Sequence, residues 1–130
     1  MTDQDSALDE KYQEQVERAI SRRRLEFYTP YPKQRQFHDA GGLPGIDTRV
    51  FLASNQSGKT MSAGAEVAMH LTGLYPPDWK GHRFKTANDW WVSSTTSQAT
   101  RDAPQRMLMG RGEPNWGTGM IPGRLIRNIK

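Results

Sequence analysis

The chain has 130 residues, a formal net charge of +4 and no cysteine. This length holds one small domain, and the lack of cysteine excludes a disulfide framework or a thiolate metal site. No apolar run approaches the ~20 residues of a membrane span, and the acidic start is unlike a signal peptide. We therefore expect a cytosolic protein. The positive charge is compatible with nucleic acid or nucleotide phosphates as partners, and equally with ordinary surface charge.

The predicted elements begin with a helix over residues 6–26, where apolar residues recur at helical spacing after a capping pair, Ser6 and Asp9. Prolines then exclude a helix until Pro32, which opens a short helix that ends at Ala40. The first third of the chain is therefore expected to be helical.

Two short apolar segments, residues 49–53 and 90–93, are typical of buried strands. Residues 58–71 have helical character and Gly73 is a suitable stop. A further helix is predicted over residues 97–109, although a proline within it must either kink it or begin it. Alternating strands and helices predict a three-layer α/β/α domain with a parallel sheet, and the tail after this helix is expected to be loop-like.

The segment from Ala53 to Thr60, A-S-N-Q-S-G-K-T, has the residue types of a phosphate-binding loop between a strand and a helix. Gly58 lets the main chain approach phosphate, Lys59 supplies a mobile charge and Thr60 supplies a hydroxyl ligand for Mg²⁺. Ala53 replaces the first glycine of the usual pattern. The alternative is a glycine-capped turn with a surface lysine.

The loop supplies the predicted ATP contacts, which are Ser54, Asn55, Gln56, Ser57, Gly58, Lys59 and Thr60. Lys59 is also the predicted catalytic cation. His38, His70 and His82 fall in different elements and are expected to lie far apart, so no metal site is predicted among them.

Gln34 is a candidate adenine contact, because a carboxamide can both donate to and accept from the edge of the base. Tyr28, Tyr31 and Phe37 are aromatic residues nearby that could stack on it. The alternative is that Gln34 is a solvated residue on the surface of a short helix.

Several segments together resemble the large terminase subunits of tailed phages: residues 31–38, 51–60, 66–73, 75–76 and 100–110. The resemblance covers roughly residues 28–122. It implies a P-loop ATPase domain that binds ATP and Mg²⁺, with Gln34 at the adenine, Lys59 at the phosphates and Thr60 at the magnesium ion. Many members have an arginine inside the loop where this chain has Asn55. Arg101 is a candidate replacement, and a surface salt bridge is its alternative role.

The resemblance implies an N-terminal helical segment (1–27) followed by an incomplete P-loop ATPase domain (28–130), with an adenine-contact segment at 30–38 and the phosphate loop at 53–60. ATP hydrolysis needs carboxylates after an apolar strand, and none of the acidic residues after Thr60 follows one. We therefore expect a domain truncated before its second carboxylate motif, which at most binds nucleotide weakly and does not turn it over on its own.

In the complete protein, the resemblance implies a motor that couples ATP hydrolysis to the movement of double-stranded viral DNA into the procapsid. Its expected partners are the portal protein, the small terminase subunit and the remainder of the large subunit, with no membrane. Its expected location is the host cytoplasm and, transiently, the procapsid portal. The alternative functions are a nucleotide-binding remnant or split-gene module without turnover and, less in keeping with the late position of the loop, a small-molecule kinase.

Overall fold

The computed structural model describes residues 2–21, 23–54 and 58–129. Within them the helices are α1 (Asp3–Ser21), α2 (Pro32–Ala40), α3 (Lys59–Thr72), α4 (Ser97–Thr100) and α5 (Arg106–Met109), with a π-helical segment at Arg101–Gln105 and a 3-10 turn at Gly123–Leu125. None of the helices in these ranges combines the length and apolar character that crossing a bilayer requires.

The predicted parallel sheet is not present in the described part of the chain, so the expected three-layer α/β fold is wrong for this structure. Residues 49–53 and 90–93 form no regular secondary structure, so they are not strands. A strand needs a second strand about 4.8 Å away to share its backbone hydrogen bonds, and among the described residues neither segment has such a ladder. Leu52 and Trp91 accordingly remain 88% and 99% exposed. The architecture is helical.

Helix α1 starts and ends earlier than predicted. Its capping pair is Thr2 and Asp5 rather than Ser6 and Asp9, because the Thr2 hydroxyl donates to the Asp5 carboxylate at 2.8 Å and the Thr2 N–H does so at 3.3 Å. Apolar residues such as Leu8 remain exposed. Local capping and first-turn acids therefore support α1 more than burial does.

The predicted positions of α2 and α3 are confirmed closely. Helix α2 begins at Pro32, whose ring suits the first helical position, and ends at Ala40. Helix α3 ends at Gly73, which has a φ of 72° and donates its N–H to the Met69 carbonyl at 2.8 Å. Glycine adopts this left-handed conformation at little cost.

Helical structure runs without a break from Ser97 to Met109. The Thr96 hydroxyl accepts from the Ala99 N–H at 3.1 Å and so caps α4. Pro104 lies in the π-helical segment. A widened turn accommodates a residue that has no backbone N–H to donate. Of the two predictions for Pro104, a helix start is therefore wrong, because the residue lies inside the helical run.

The core surrounds α3. Its buried apolar residues come from α3 and from segments on both sides of it: Leu25, Ala65, Ala68, Met69, Leu108, Met120 and Ile121. Backbone bonds from Met120 to Met107 and from Ile121 to Leu108, at 2.8 and 2.9 Å, hold the tail against α5. The tail is irregular, as expected, but it helps to form the core. The predicted boundary between residues 27 and 28 stays a prediction.

Candidate functional site: the N-terminus of helix α3

The end of the predicted phosphate loop leads directly into α3. Gly58 precedes the helix, and Lys59 and Thr60 are its first two residues. The Ser62 N–H donates to the Gly58 carbonyl at 2.9 Å, so the N–H groups of the preceding turn have no partner inside the helix. These donors and the positive end of the helix dipole favour anions.

The two ends of the loop are in contact. The Lys59 ammonium group donates to the carbonyl of Ala53, which joins the start of the loop to the start of α3. Ser54 is exposed. Three other residues predicted to bind ATP lie outside the described residues: Asn55, Gln56 and Ser57. The predicted ATP contacts of all these residues stay predictions.

Two features of Gly58 favour glycine at this position. Its φ of 78° lies in the left-handed region, where a side chain is strained. A Cβ atom there would also overlap the Gln34 side-chain nitrogen. The backbone conformation and a neighbour 24 residues earlier in the chain therefore both favour glycine here.

Gln34 is tied to the main chain and is only 2% exposed. Its Nε2 donates to the Gly58 carbonyl at 2.9 Å, and its Oε1 accepts from the Tyr31 N–H at 2.8 Å. The side chain therefore holds α2 against the end of the loop, and it is not the solvated surface residue of the alternative interpretation. An amide retains one further hydrogen and one further lone pair, and its contact with adenine stays a prediction.

The aromatic residues near Gln34 have different surroundings. Phe37 stacks on Phe51 with ring centroids 5.0 Å apart, and the Arg49 guanidinium lies over the Phe37 ring at 4.5 Å. Tyr31 is exposed, and Tyr28 lines a small cleft that also includes Trp79. Of the three rings proposed to stack on a base, Phe37 is thus already engaged inside the protein.

A buried carboxylate, Glu66, forms the centre of a polar network behind the loop. Its oxygens accept from His38 Nδ1 at 2.6 Å, from His70 Nε2 at 3.2 Å and from the guanidinium of Arg49, one of whose nitrogens lies at 3.2 Å. Arg49 also donates to the Phe37 carbonyl at 2.6 Å. Glu66 thereby joins α2, α3 and the segment that enters the loop.

Tyrosine hydroxyls complete the network on both sides. His38 Nε2 is 2.8 Å from the Tyr28 hydroxyl, and His70 Nδ1 is 2.8 Å from the Tyr75 hydroxyl. Because the Glu66 carboxylate only accepts, the histidine nitrogen that faces it carries hydrogen, and the opposite nitrogen of a neutral ring accepts from tyrosine. No buried side-chain nitrogen or oxygen of the described residues lacks a partner.

The network shifts two ionisation equilibria. Burial alone raises the pKa of Glu66, but hydrogen bonds from His38, His70 and Arg49, with the Arg49 charge, outweigh it and hold that pKa well below its ordinary value. Burial, helped by the Glu66 charge, raises the pKa of Tyr28 to about 12. The native network therefore combines an ionised carboxylate with a neutral phenol.

The expectation that the histidines lie far apart is wrong. His38 and His70 share Glu66, and the His82 ring lies 6.4 Å from that of His70. Within residues 2–21, 23–54 and 58–129, no group of three or more potential ligands is arranged to hold a metal ion. The sequence signal for Glu66 was its place among Ala65, Ala68 and Met69 on the buried face of α3; nothing in the local sequence indicated His38 as its partner.

Thr60 lies at the wall of an open cleft of about 620 Å³. The cleft also includes three arginines and an aspartate: Arg24, Arg106, Arg111 and Asp102. Arg101, the candidate cation from the sequence, is exposed on the π-helical segment and is not among the lining residues. Arginines other than Arg101 thus line the cleft that Thr60 borders.

Two comparisons with known proteins identify the family of this chain. Residues 50–127 match the N-terminal region of the terminase large subunit, T4likevirus-type. The chain is also 40% identical over 109 residues to the terminase large subunit of Salmonella phage P22, a match that covers 73% of this chain and 21% of that protein. The chain thus spans about a fifth of the length of this curated relative, and no solved structure matches. Because the family match covers more than half of its residues, the chain belongs to the terminase large subunit family.

Proposed function

We propose that this chain is the ATP-binding portion of a viral DNA-packaging terminase large subunit. The observation that carries the proposal is the junction of Gly58, Lys59 and Thr60 with α3, where a left-handed glycine, a lysine and a hydroxyl surround a helix N-terminus. Gln34 supports the junction through its bond to the Gly58 carbonyl. A triphosphate fits such a place because its oxygens need several N–H donors and cations at once.

The residues present fit ATP and Mg²⁺. Gly58 has no Cβ in the position where a side chain would crowd the end of the loop, and Thr60 is exposed at the first turn of α3. In this proposal Lys59 leaves the Ala53 carbonyl to hold phosphate oxygens, and the Thr60 hydroxyl is a ligand of Mg²⁺. The bound nucleotide supplies the free energy of phosphoryl transfer; this chain binds and orients it.

In the whole protein, we propose that ATP hydrolysis is coupled to the translocation of double-stranded viral DNA into the procapsid. The partners that this role requires are the portal protein, the small terminase subunit and the remainder of the large subunit. The corresponding location is the host cytoplasm and, transiently, the procapsid portal. Membership of the terminase large subunit family supports this assignment.

Titration of the chain with a fluorescent ATP analogue and Mg²⁺ tests nucleotide binding. Lys59→Ala removes the mobile cation and should weaken binding about tenfold or more, the usual effect of losing a charge-assisted hydrogen bond. Lys80→Ala, which removes an exposed lysine elsewhere, is the matched control and should bind like the wild type. Equal affinities for the wild type and Lys59→Ala would remove the phosphate-loop assignment.

A further inference from the structure

Arg49 is anchored to the end of α2, although it lies four residues before Ala53, where the predicted phosphate loop starts. Its Nη1 donates to the Phe37 carbonyl at 2.6 Å, and its guanidinium lies over the Phe37 ring at 4.5 Å. That carbonyl is among the last four of α2, which lack a partner inside the helix. A Cβ atom on Gly41, the residue after α2, would overlap the same guanidinium. Arg49 therefore caps the C-terminus of α2 with a positive charge, as the helix dipole favours.

The same arginine reaches α3 through Glu66. Two guanidinium nitrogens of Arg49 donate to the Glu66 carboxylate, one of them at 3.2 Å, and His38 Nδ1 donates to it from α2 at 2.6 Å. Side-chain exposure is 22% for Arg49, 5% for Glu66 and 1% for His38, so these bonds lie in a low dielectric, where they are stronger than in water. The segment that enters the loop, α2 and α3 are thus held to one buried charge.

His38 and Gln34 lie one turn apart on α2, and both are buried. Residues four apart share a face of a helix, so the contacts that fix His38 also fix where the Gln34 amide lies. That amide donates to the Gly58 carbonyl at 2.9 Å. Because a peptide group is planar and trans, a carbonyl turned toward Gln34 directs the N–H of Lys59 to the opposite side. The position of α2 therefore controls the orientation of the peptide between Gly58 and Lys59.

We propose that Arg49 is a positioning residue for nucleotide binding: by holding α2 to Glu66, it keeps the Gln34 amide on the Gly58 carbonyl. The inference rests on the proposed function, and it adds a residue that acts on the nucleotide only through Gln34. The alternative is a network that stabilises the fold without a specific influence on the loop. The two differ in one respect, because a positioning effect disappears when Gln34 is absent, whereas a loss of stability does not.

A double-mutant cycle on the full chain measures this dependence with a fluorescent ATP analogue and Mg²⁺. Arg49→Gln and Gln34→Ala should each weaken binding by about fivefold, a typical coupling between residues of one hydrogen-bond network. The double variant should bind no more weakly than Gln34→Ala alone. Arg49→Lys keeps the positive charge but not the forked geometry. It should show the same pattern with a smaller loss, and it supplies the cycle if Arg49→Gln does not fold.

Two controls separate positioning from stability. Arg83→Gln removes an arginine with similar contacts elsewhere, and it should leave the affinity for the analogue unchanged. Arg83 donates to the Pro76 carbonyl at 3.0 Å and lies over the Tyr75 ring at 5.3 Å. His70→Leu removes a donor that reaches Glu66 from α3 itself, at 3.2 Å. It should lower the urea midpoint without weakening nucleotide binding, because His70 does not hold α2.

Losses from Arg49→Gln and Gln34→Ala that multiply in the double variant would overturn the inference, and so would an Arg49→Gln protein that binds like the wild type. Weakening by His70→Leu as large as that by Arg49→Gln, at equal urea midpoints, would assign the effect to stability. Failure of the proposed function gives a different result, since wild type and Lys59→Ala then bind the analogue equally weakly and the inference falls with it. If Lys59→Ala weakens binding while the Arg49 and Gln34 losses multiply, the loop binds nucleotide and only the positioning role is wrong.

Discussion

Glu66 shows how a single buried charge can organise a small helical protein. It is 4% exposed, yet it is accommodated because His38, His70 and Arg49 all donate to it. Burying an unpaired carboxylate is costly, and a complete set of donors offsets that cost. These three donors come from α2, α3 and the segment before the loop. By binding all of them, Glu66 also holds together the elements around the candidate site.

Glu66→Gln should destabilise the protein by about 3 kcal/mol, because the amide places its own hydrogens against groups that donate and leaves Arg49 without its counter-ion. Urea unfolding monitored by circular dichroism measures the change. Asp78→Asn is the matched control, since Asp78 pairs with Arg35 on the surface at 3.3 Å, and it should cost less than about 1 kcal/mol. Equal losses in the two variants would show that the Glu66 network contributes no more than a surface ion pair.

At the scale of the element, α3 has a left-handed glycine at each end. Gly58 precedes its first turn and Gly73 follows its last, with φ values of 78° and 72°. Their surroundings differ, because Gly73 has open space where a Cβ atom would be, whereas Gly58 has the Gln34 side chain. The helix N-terminus is therefore held by tertiary packing, and the C-terminus by local geometry.

Alanine at each glycine separates these two effects. Gly73→Ala should cost about 1 kcal/mol, the strain of a left-handed alanine, and leave nucleotide affinity unchanged. Gly58→Ala has the same strain and also displaces Gln34, so it should cost more and weaken nucleotide binding. Thermal unfolding and the ATP-analogue titration measure the two properties. Identical behaviour of the two variants would contradict a supporting role for the Gln34–Gly58 contact.

For the whole molecule, the polar network predicts how stability depends on pH. The pKa of Glu66 is lower in the folded state than its ordinary value of about 4.3. Its contribution is therefore complete above that value and is lost as the pH falls below it. The pKa of Tyr28 is raised from about 10 to about 12, so its contribution is complete below pH 10 and is lost as the pH rises through 12.

Urea midpoints measured from pH 2.5 to 12 should show both effects (the limits are approximate and bracket the ordinary pKa values). The acid loss should be smaller in Glu66→Gln than in the wild type, and the alkaline loss should be smaller in Tyr28→Phe. Comparing each variant with the wild type removes the background titration of other groups. An acid limb that Glu66→Gln leaves unchanged would place the sensitive carboxylate elsewhere.

Local signals in the sequence were sufficient for several features of the chain. Pro32 and Gly73 mark the start of α2 and the end of α3 because proline and glycine restrict or free the backbone within a residue or two. The spacing of Gly58, Lys59 and Thr60 indicated a phosphate loop, and the longer series of segments indicated the terminase family, which the comparisons confirm. The role of the loop in binding ATP stays a prediction.

The tertiary structure decided what depends on contacts between distant residues. Residues 49–53 and 90–93 are largely apolar, but a sheet also needs a partner strand, and apolar composition cannot supply one. In the same way, Glu66 bonds to His38, 28 residues earlier in the chain, and Arg24 lines the same cleft as Arg106 and Arg111. Backbone propensity acts locally and is visible in the sequence, whereas the pairing of charges and polar groups is set only when the chain packs.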